Sequence, residues 1–238
     1  MPGVDVMAFG AHPDDIEIGC GGTLIKLVQA GHSVVLVDMV RGEMGTRGTA
    51  ETRATEAEAA RQIIGAQARE NLALEDGFLE VTKESKARVA QVVRQYRPRM
   101  VLVPHNQGRH PDHFVTSDIV YQGAFLAGLA RFETGLEAFR PPRLLYYGHH
   151  DSFAPSVVVD ITAQYERKWE AIYAYATQFR PEVGTWEHTR LTSPSFRTRL
   201  DHWMGSYGAL VGKPFGEGFL VRGHLESENL LDLAFSSF

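Results

Sequence analysis

Two short apolar runs, residues 4–10 and 33–40, bracket a segment with helical spacing, and this arrangement constrains the fold more than any other feature of the chain. Neither run alternates apolar with polar residues, so both faces of each expected strand must be covered. Between them, Leu24, Leu27 and Val28 recur at helical spacing, and Gly31 closes the run. The spacing predicts a helix over residues 21–31. Strand, helix, strand is a βαβ unit, which implies a parallel pair and a right-handed crossover.

The same pattern continues. Residues 41–52 (RGEMGTRGTAET) are polar and glycine-rich and read as a loop. Thr49 is the expected N-cap of a helix reaching about Ile64, just before Gly65. Residues 83–96 form another helix with Val89, Val92, Val93 and Tyr96 on one face, and 100–103 a third buried strand. Helices are expected over 112–132, 163–179 and 196–210, and strands over 144–147 and 157–161. The fold class is α/β: a Rossmann-like, mostly parallel sheet with helices on both faces. No repeat or Pro/Ser-rich linker interrupts it. One domain over 1–238 is expected, with residues from about 150 packed on as an elaboration.

Composition narrows the function. The formal net charge is -5, so no global positive field draws the chain to nucleic acid. Cys20 is the single cysteine, which excludes an intramolecular disulfide and fits a reducing compartment. No apolar run approaches the ~20 residues of a membrane helix, and the N-terminal residues lack a signal-like stretch. The expectation is a cytoplasmic soluble protein.

Two polar clusters share one address. AHPDD (11–15) follows the first strand and HPDH (110–113) follows the strand at 100–103. In an open parallel sheet, ligands bind beyond the carboxyl ends of the strands, where strand order reverses. Imidazole and carboxylate groups suit zinc, and a catalytic zinc takes three protein ligands plus water. His12 and Asp15 from one loop with His113 from the other would make such a site. Asp14 would then be free to act as general base. His110 could donate to an oxyanion, and Asp112 could orient it. The plainer reading is a pair of turns whose residues cap helices without a metal.

AHPDDIEIGCGGT together with HPDH resembles the LmbE-like/PIG-L family of zinc-dependent de-N-acetylases. The resemblance implies a Rossmann-like fold, with His12, Asp15 and His113 matching the zinc ligands and Asp14 the general base. It likewise implies that His110 stabilises the oxyanion and that Asp112 orients His110. Many members carry Glu directly after the Asp pair, whereas here Ile16 intervenes before Glu17. Neither position is a family ligand. Residues 41–53, 72–81, 106–113 and 212–219 look like the bacillithiol biosynthesis deacetylase branch, and the match runs from Val4 to about Phe219. That branch implies N-acetylglucosaminyl malate as substrate and a homo-oligomer, a trimer or a hexamer.

On this reading Arg53, in the first turn of the helix after the glycine-rich loop, contacts substrate, as its family counterpart does. Arg47 and Arg109 lie on loops expected to face the crevice and are further candidates for a carboxylate-bearing aglycone. Glu217 and Phe219 are expected to line the pocket on resemblance alone. Cys20 and the remaining histidines read as packing or surface residues. One zinc per chain is expected, although iron(II) can use the same His/Asp/His set. Two other readings stay open: the same hydrolysis on another N-acetylglucosamine conjugate or a thiol adduct, and a sugar- or nucleotide-binding module without hydrolytic activity.

Overall fold

Strands buried on both faces need a helix layer on each side, and the computed structural model, which describes residues 3–148 and 153–229, has both layers. The strands are β1 (Val6–Gly10), β2 (Val34–Val40), β3 (Ala68–Leu74), β4 (Met100–Pro104), β5 (Leu144–Tyr147), β6 (Val157–Asp160) and β7 (Gly216–Val221). They form a seven-stranded sheet in the order β3-β2-β1-β4-β5-β7-β6. The first five in space run parallel, and β7 is antiparallel to both its neighbours.

The helices are α1 (Asp15–Gln29), α2 (Ala50–Ile64), α3 (Lys83–Tyr96), α4 (Pro111–Ala127), α5 (Tyr165–Tyr173), α6 (Ala176–Phe179) and α7 (Ser195–Leu210). Met7, Phe9, Val35 and Val37 point to a core closed by Val89, Val93 and Ile119 of α3 and α4. Val6, Ala8, Val34 and Leu36 point the other way, onto Ile16, Cys20 and Leu24 of α1. A third cluster packs Trp169, Ile172, Phe196 and Leu200 against Ile18, Ala57 and Ala60. Through it the later helices brace α1 and α2.

Local chemistry sets the element ends. Thr49 caps α2 in a reciprocal box with Thr52, and Gly65 ends it at a positive φ of 85°. Thr82 and Ser85 make the same box at α3.

The structure corrects four expectations. α1 begins at Asp15 rather than at residue 21. The helix expected over 163–179 breaks into a 3-10 turn at Thr162–Gln164 and the two helices α5 and α6. β3 and β7 are strands that the sequence pattern does not predict. The alternating β3 sequence ARENLAL carries charged residues because Arg69 is buried in ion pairs with Asp38 and Glu17. His149 and His150 lie outside the described residues.

α1 is two helices joined at a break. Cys20 has non-helical angles (φ -143°, ψ 15°), so groups on either side lose their helical partners. Lys168 Nζ donates to the Ile18 carbonyl at 2.8 Å, and the Glu217 carboxylate accepts from the Gly22 and Thr23 N–H groups at 2.9 and 2.7 Å. Lys168 and Glu217 pair with each other at 2.6 Å, both buried. The ion pair thus replaces main-chain bonds lost at the break. Glu217 is therefore part of the scaffold, and Phe219 is a core residue, so the pocket-lining role expected for them does not hold.

Lys168→Met is expected to destabilise the protein by about 3–5 kcal/mol, because it leaves a buried carboxylate without its cation. Urea unfolding measures this. The double variant Lys168→Met/Glu217→Gln should recover part of the loss, and no recovery would show that the pair is not coupled.

Candidate metal centre and active site

The sheet reverses its strand order between β1 and β4: the chain fills β2 and β3 on one side of β1, then returns to add β4 on the other. The two polar clusters follow these adjacent parallel strands, so they meet at one crevice. His12, Asp14 and Asp15 arrive from the β1–α1 turn. His110 and His113 arrive from the N-terminus of α4, where Pro111 occupies the first turn and stiffens it.

Three donor atoms converge. Asp15 Oδ2 lies 3.4 Å from His12 Nδ1 and 3.3 Å from His113 Nε2. These residues form a group of metal-binding geometry, and a second group, of His12, His110 and Asp112, overlaps it. The same Asp15 oxygen accepts from the His12 backbone N–H at 2.9 Å, which fixes the carboxylate. The outer nitrogen of His12, Nε2, faces two more carboxylates, Asp112 at 3.2 Å and Asp76 at 3.3 Å. Burial alone would lower the His12 pKa, yet hydrogen bonds to Asp112, Asp15 and Asp76 raise it well above the ordinary value. A site this negative suits a cation. The donor set is that of a three-ligand divalent site, and carboxylates behind a ligating histidine are the usual outer support of such sites.

Asp14 is held apart. Its φ of 116° puts a non-glycine residue in the left-handed region, a strain of about 1–3 kcal/mol. It stands at the N-cap of α1 without capping it. Its side chain turns instead to Arg53, whose Nη2 donates to Asp14 Oδ2 at 3.2 Å and to the Pro13 carbonyl. Burial pushes the Asp14 carboxyl up to about 8 against the opposing charge of Arg53. A carboxyl tuned upward in a crevice is suited to proton transfer near neutral pH.

His110 is the N-cap residue of α4, and its Nδ1 accepts from the Asp112 backbone N–H at 3.3 Å. That bond places the ring proton on Nε2. Burial, with His12 and His113 beside it, lowers the His110 pKa, so the ring is a neutral donor.

The cavity over this cluster has a volume of about 340 Å³. Arg53, Arg109, Arg190, Met44 and Gln178 also line it. Two sequence expectations change here. The Asp112 carboxylate serves His12 and the Gly77 N–H, not the His110 ring; its link to His110 runs through its backbone. Arg47 does not line the cavity. It is 1% exposed and its guanidinium donates only to main-chain carbonyls. Sequence reading missed Asp76, whose only signal is an Asp-Gly turn after β3. It also missed Gln178 and Arg190, whose local sequence carries no signal.

Residues 7–124 match the PIG-L family, described as GlcNAc-PI de-N-acetylase, and this span holds both motifs. A diacetylchitobiose deacetylase of Thermococcus kodakarensis is 30% identical over 226 residues, covering 90% of this chain and 81% of the relative. The chain belongs to the PIG-L/LmbE-like deacetylase family. Among solved structures, the conserved protein TT1542 from Thermus thermophilus superposes with a TM-score of 0.85 at 34% identity, over 94% of this chain and 98% of that one. An N,N'-diacetylchitobiose deacetylase from Pyrococcus horikoshii, complexed with its inhibitor MPG, gives 0.81 at 27% identity, over 91% and 83%.

Asp76→Asn is expected to weaken binding of a divalent ion by roughly 10–100-fold, the usual worth of an outer partner. Chelator competition measures it. His113→Ala should lose tight binding altogether, and unchanged affinity in both variants would remove the ligand assignment.

Proposed function

We propose that this deacetylase is zinc-dependent and releases acetate from an N-acetylglucosamine conjugate, N-acetylglucosaminyl malate. The observation that carries the reading is the meeting of His12 Nδ1, Asp15 Oδ2 and His113 Nε2 with Asp14 and His110 in one crevice. When bound, zinc polarises the acetyl carbonyl and acidifies a water. The residues of the chain do the rest. Asp14 accepts the proton of the attacking water, and Arg53 holds its carboxylate in place. The His110 Nε2–H donates to the oxygen that becomes negative as the carbonyl turns tetrahedral. The C–N bond then breaks, the amine takes a proton, and acetate and the free amino sugar leave.

The relatives and the arginines of the cavity support this substrate class. The diacetylchitobiose deacetylases act on an N-acetylated sugar, which supports N-acetylglucosamine at the reaction centre. Arg109 and Arg190 line the same cavity, and a guanidinium matches a carboxylate in both shape and charge. Arg53 also borders it and has a buried Nε without a partner among the described residues. These arginines in the cavity wall support an anionic aglycone such as malate. Arg47 no longer supports it. No helix of the described residues is long and apolar enough to cross a membrane. A homo-oligomer, a trimer or hexamer, and a cytoplasmic location remain part of this proposal.

Asp14→Asn is expected to keep the metal and lose roughly 10²–10⁴-fold in kcat. Elemental analysis paired with an acetate-release assay is the check, and normal turnover in the metal-loaded variant would pass the base role to another group. Arg109→Ala and Arg190→Ala are expected to lower kcat/KM for N-acetylglucosaminyl malate roughly 10–150-fold, the worth of a charge-assisted contact. Plain N-acetylglucosamine should lose much less. Equal losses on both substrates would end the malate assignment and leave the family-level reaction.

A further inference from the structure

Arg47, beside the cavity, makes five side-chain hydrogen bonds. A guanidinium has five N–H donors in a fixed plane. Here Nε donates to the Thr177 carbonyl at 2.7 Å, Nη1 to Trp186 and Glu187 at 3.0 and 3.1 Å, and Nη2 to Arg180 and Val183 at 3.0 and 2.6 Å. Every partner is a main-chain carbonyl. Of the five, the Thr177 carbonyl belongs to α6 and the Arg180 carbonyl also accepts from the Val183 N–H, whereas those of Val183, Trp186 and Glu187 lie between α6 and α7, where no helix or strand supplies a donor.

This segment forms part of the cavity. Gln178, Thr189, Arg190 and Leu191 line it, as do Met44, Gly45 and Thr46 from the loop that carries Arg47. The two loops are bound reciprocally. Gln178 Nε2 donates to the Arg47 carbonyl at 2.5 Å, and Glu56 of α2 accepts from both the N–H and the hydroxyl of Thr177, each at 2.7 Å. A turn in which Thr189 and Thr192 bond each other's backbone then sets Arg190 and Leu191 at the cavity.

We propose that Arg47 is a positioning residue for substrate selection: it fixes residues 177–191 as a cavity wall that contacts the part of the substrate beyond the acetamido sugar. The metal centre and Asp14 lie on the β1–α1 and β4–α4 connections, which Arg47 does not touch. Loosening the wall therefore weakens recognition of the conjugate more than it slows hydrolysis. Lysine cannot substitute, because an ammonium offers three donors from one point and cannot serve five carbonyls spread around a plane.

The proposal rests on the deacetylase reading, and the test separates the two. Wild type, Arg47→Met, Arg47→Lys and Glu56→Gln are compared on N-acetylglucosaminyl malate, diacetylchitobiose and N-acetylglucosamine, with bound metal measured for each. In both Arg47 variants, KM for whichever conjugate wild type prefers is expected to rise on the order of 10- to 100-fold, as misplaced binding groups do. The change in kcat should be smaller, metal content should hold, and the loss on N-acetylglucosamine should be less. Glu56→Gln should shift KM in the same direction by a smaller factor, and it carries the test if the Arg47 variants do not fold. Equal losses on conjugate and monosaccharide, or loss confined to kcat, would overturn the positioning role. A wild-type protein that releases acetate from none of the three would instead overturn the function.

Discussion

Everything in this site depends on the His12 ring, which is held by carboxylates at both nitrogens. The inner nitrogen meets Asp15, and the outer one meets Asp76 and Asp112. Each carboxylate comes from a different connection: β1–α1, β3–α3 and the start of α4. The ring therefore reports on the relative positions of β1, β3 and β4, and it can be in register only if the sheet is. Three largely buried carboxylates this close repel one another unless positive charge stands between them, which a protonated His12 or a bound divalent ion would supply. With an ion bound, the outward pair of carboxylates would also make His12 a stronger ligand.

Asp14 faces the opposite requirement. A base must be near the reaction and must not become a ligand. The chain achieves this with a left-handed residue directly before Asp15, so the two carboxylates take different partners. Arg53 then holds the carboxylate from the far side. Arg53 can do so because the Thr49 box fixes the first turn of α2, and the third core cluster presses α2 against α1. The position of the proposed proton acceptor thus derives from a helix cap and from the packing of Ala57 and Ala60.

The chemistry-bearing residues were legible in sequence because they sit in two contiguous motifs at strand ends, where topology alone brings them together. Periodicity found β1, β2 and β4 because parallel central strands are apolar on both faces. It failed on β3, an edge strand whose Arg69 hides its charge in an ion pair with Asp38 rather than in solvent. It failed on the start of α1 because the break at Cys20 is repaired by Lys168 and Glu217, which lie far along the chain. Asp76 was missed for a related reason: an aspartate before glycine reads as a turn, and only the tertiary fold reveals that it faces His12.

The arginines show where such reading ends. Arg47 and Arg53 lie six residues apart, flanking the same helix start, and Arg190 lies in an irregular stretch far away. Sequence places Arg47 on a loop and Arg53 in the first turn of a helix, and carries no signal that singles out Arg190. What separates them is the number of donors already engaged. Arg47 has none left, because the end of α6 and the irregular stretch after it present five carbonyls to it. Arg53 is half engaged, by the Pro13 carbonyl and by Asp14, and keeps one buried donor without a partner among the described residues. Arg190 contributes its carbonyl to Arg199 while its residue borders the cavity. Irregular backbone near an active site has to be satisfied by something. Here it is satisfied by a residue of the catalytic loop's own neighbour, so the shape of the substrate cavity is coupled to the loop after β2 by hydrogen bonds rather than by apolar packing. Apolar packing would tolerate small shifts in that wall, whereas a planar donor with five fixed directions does not.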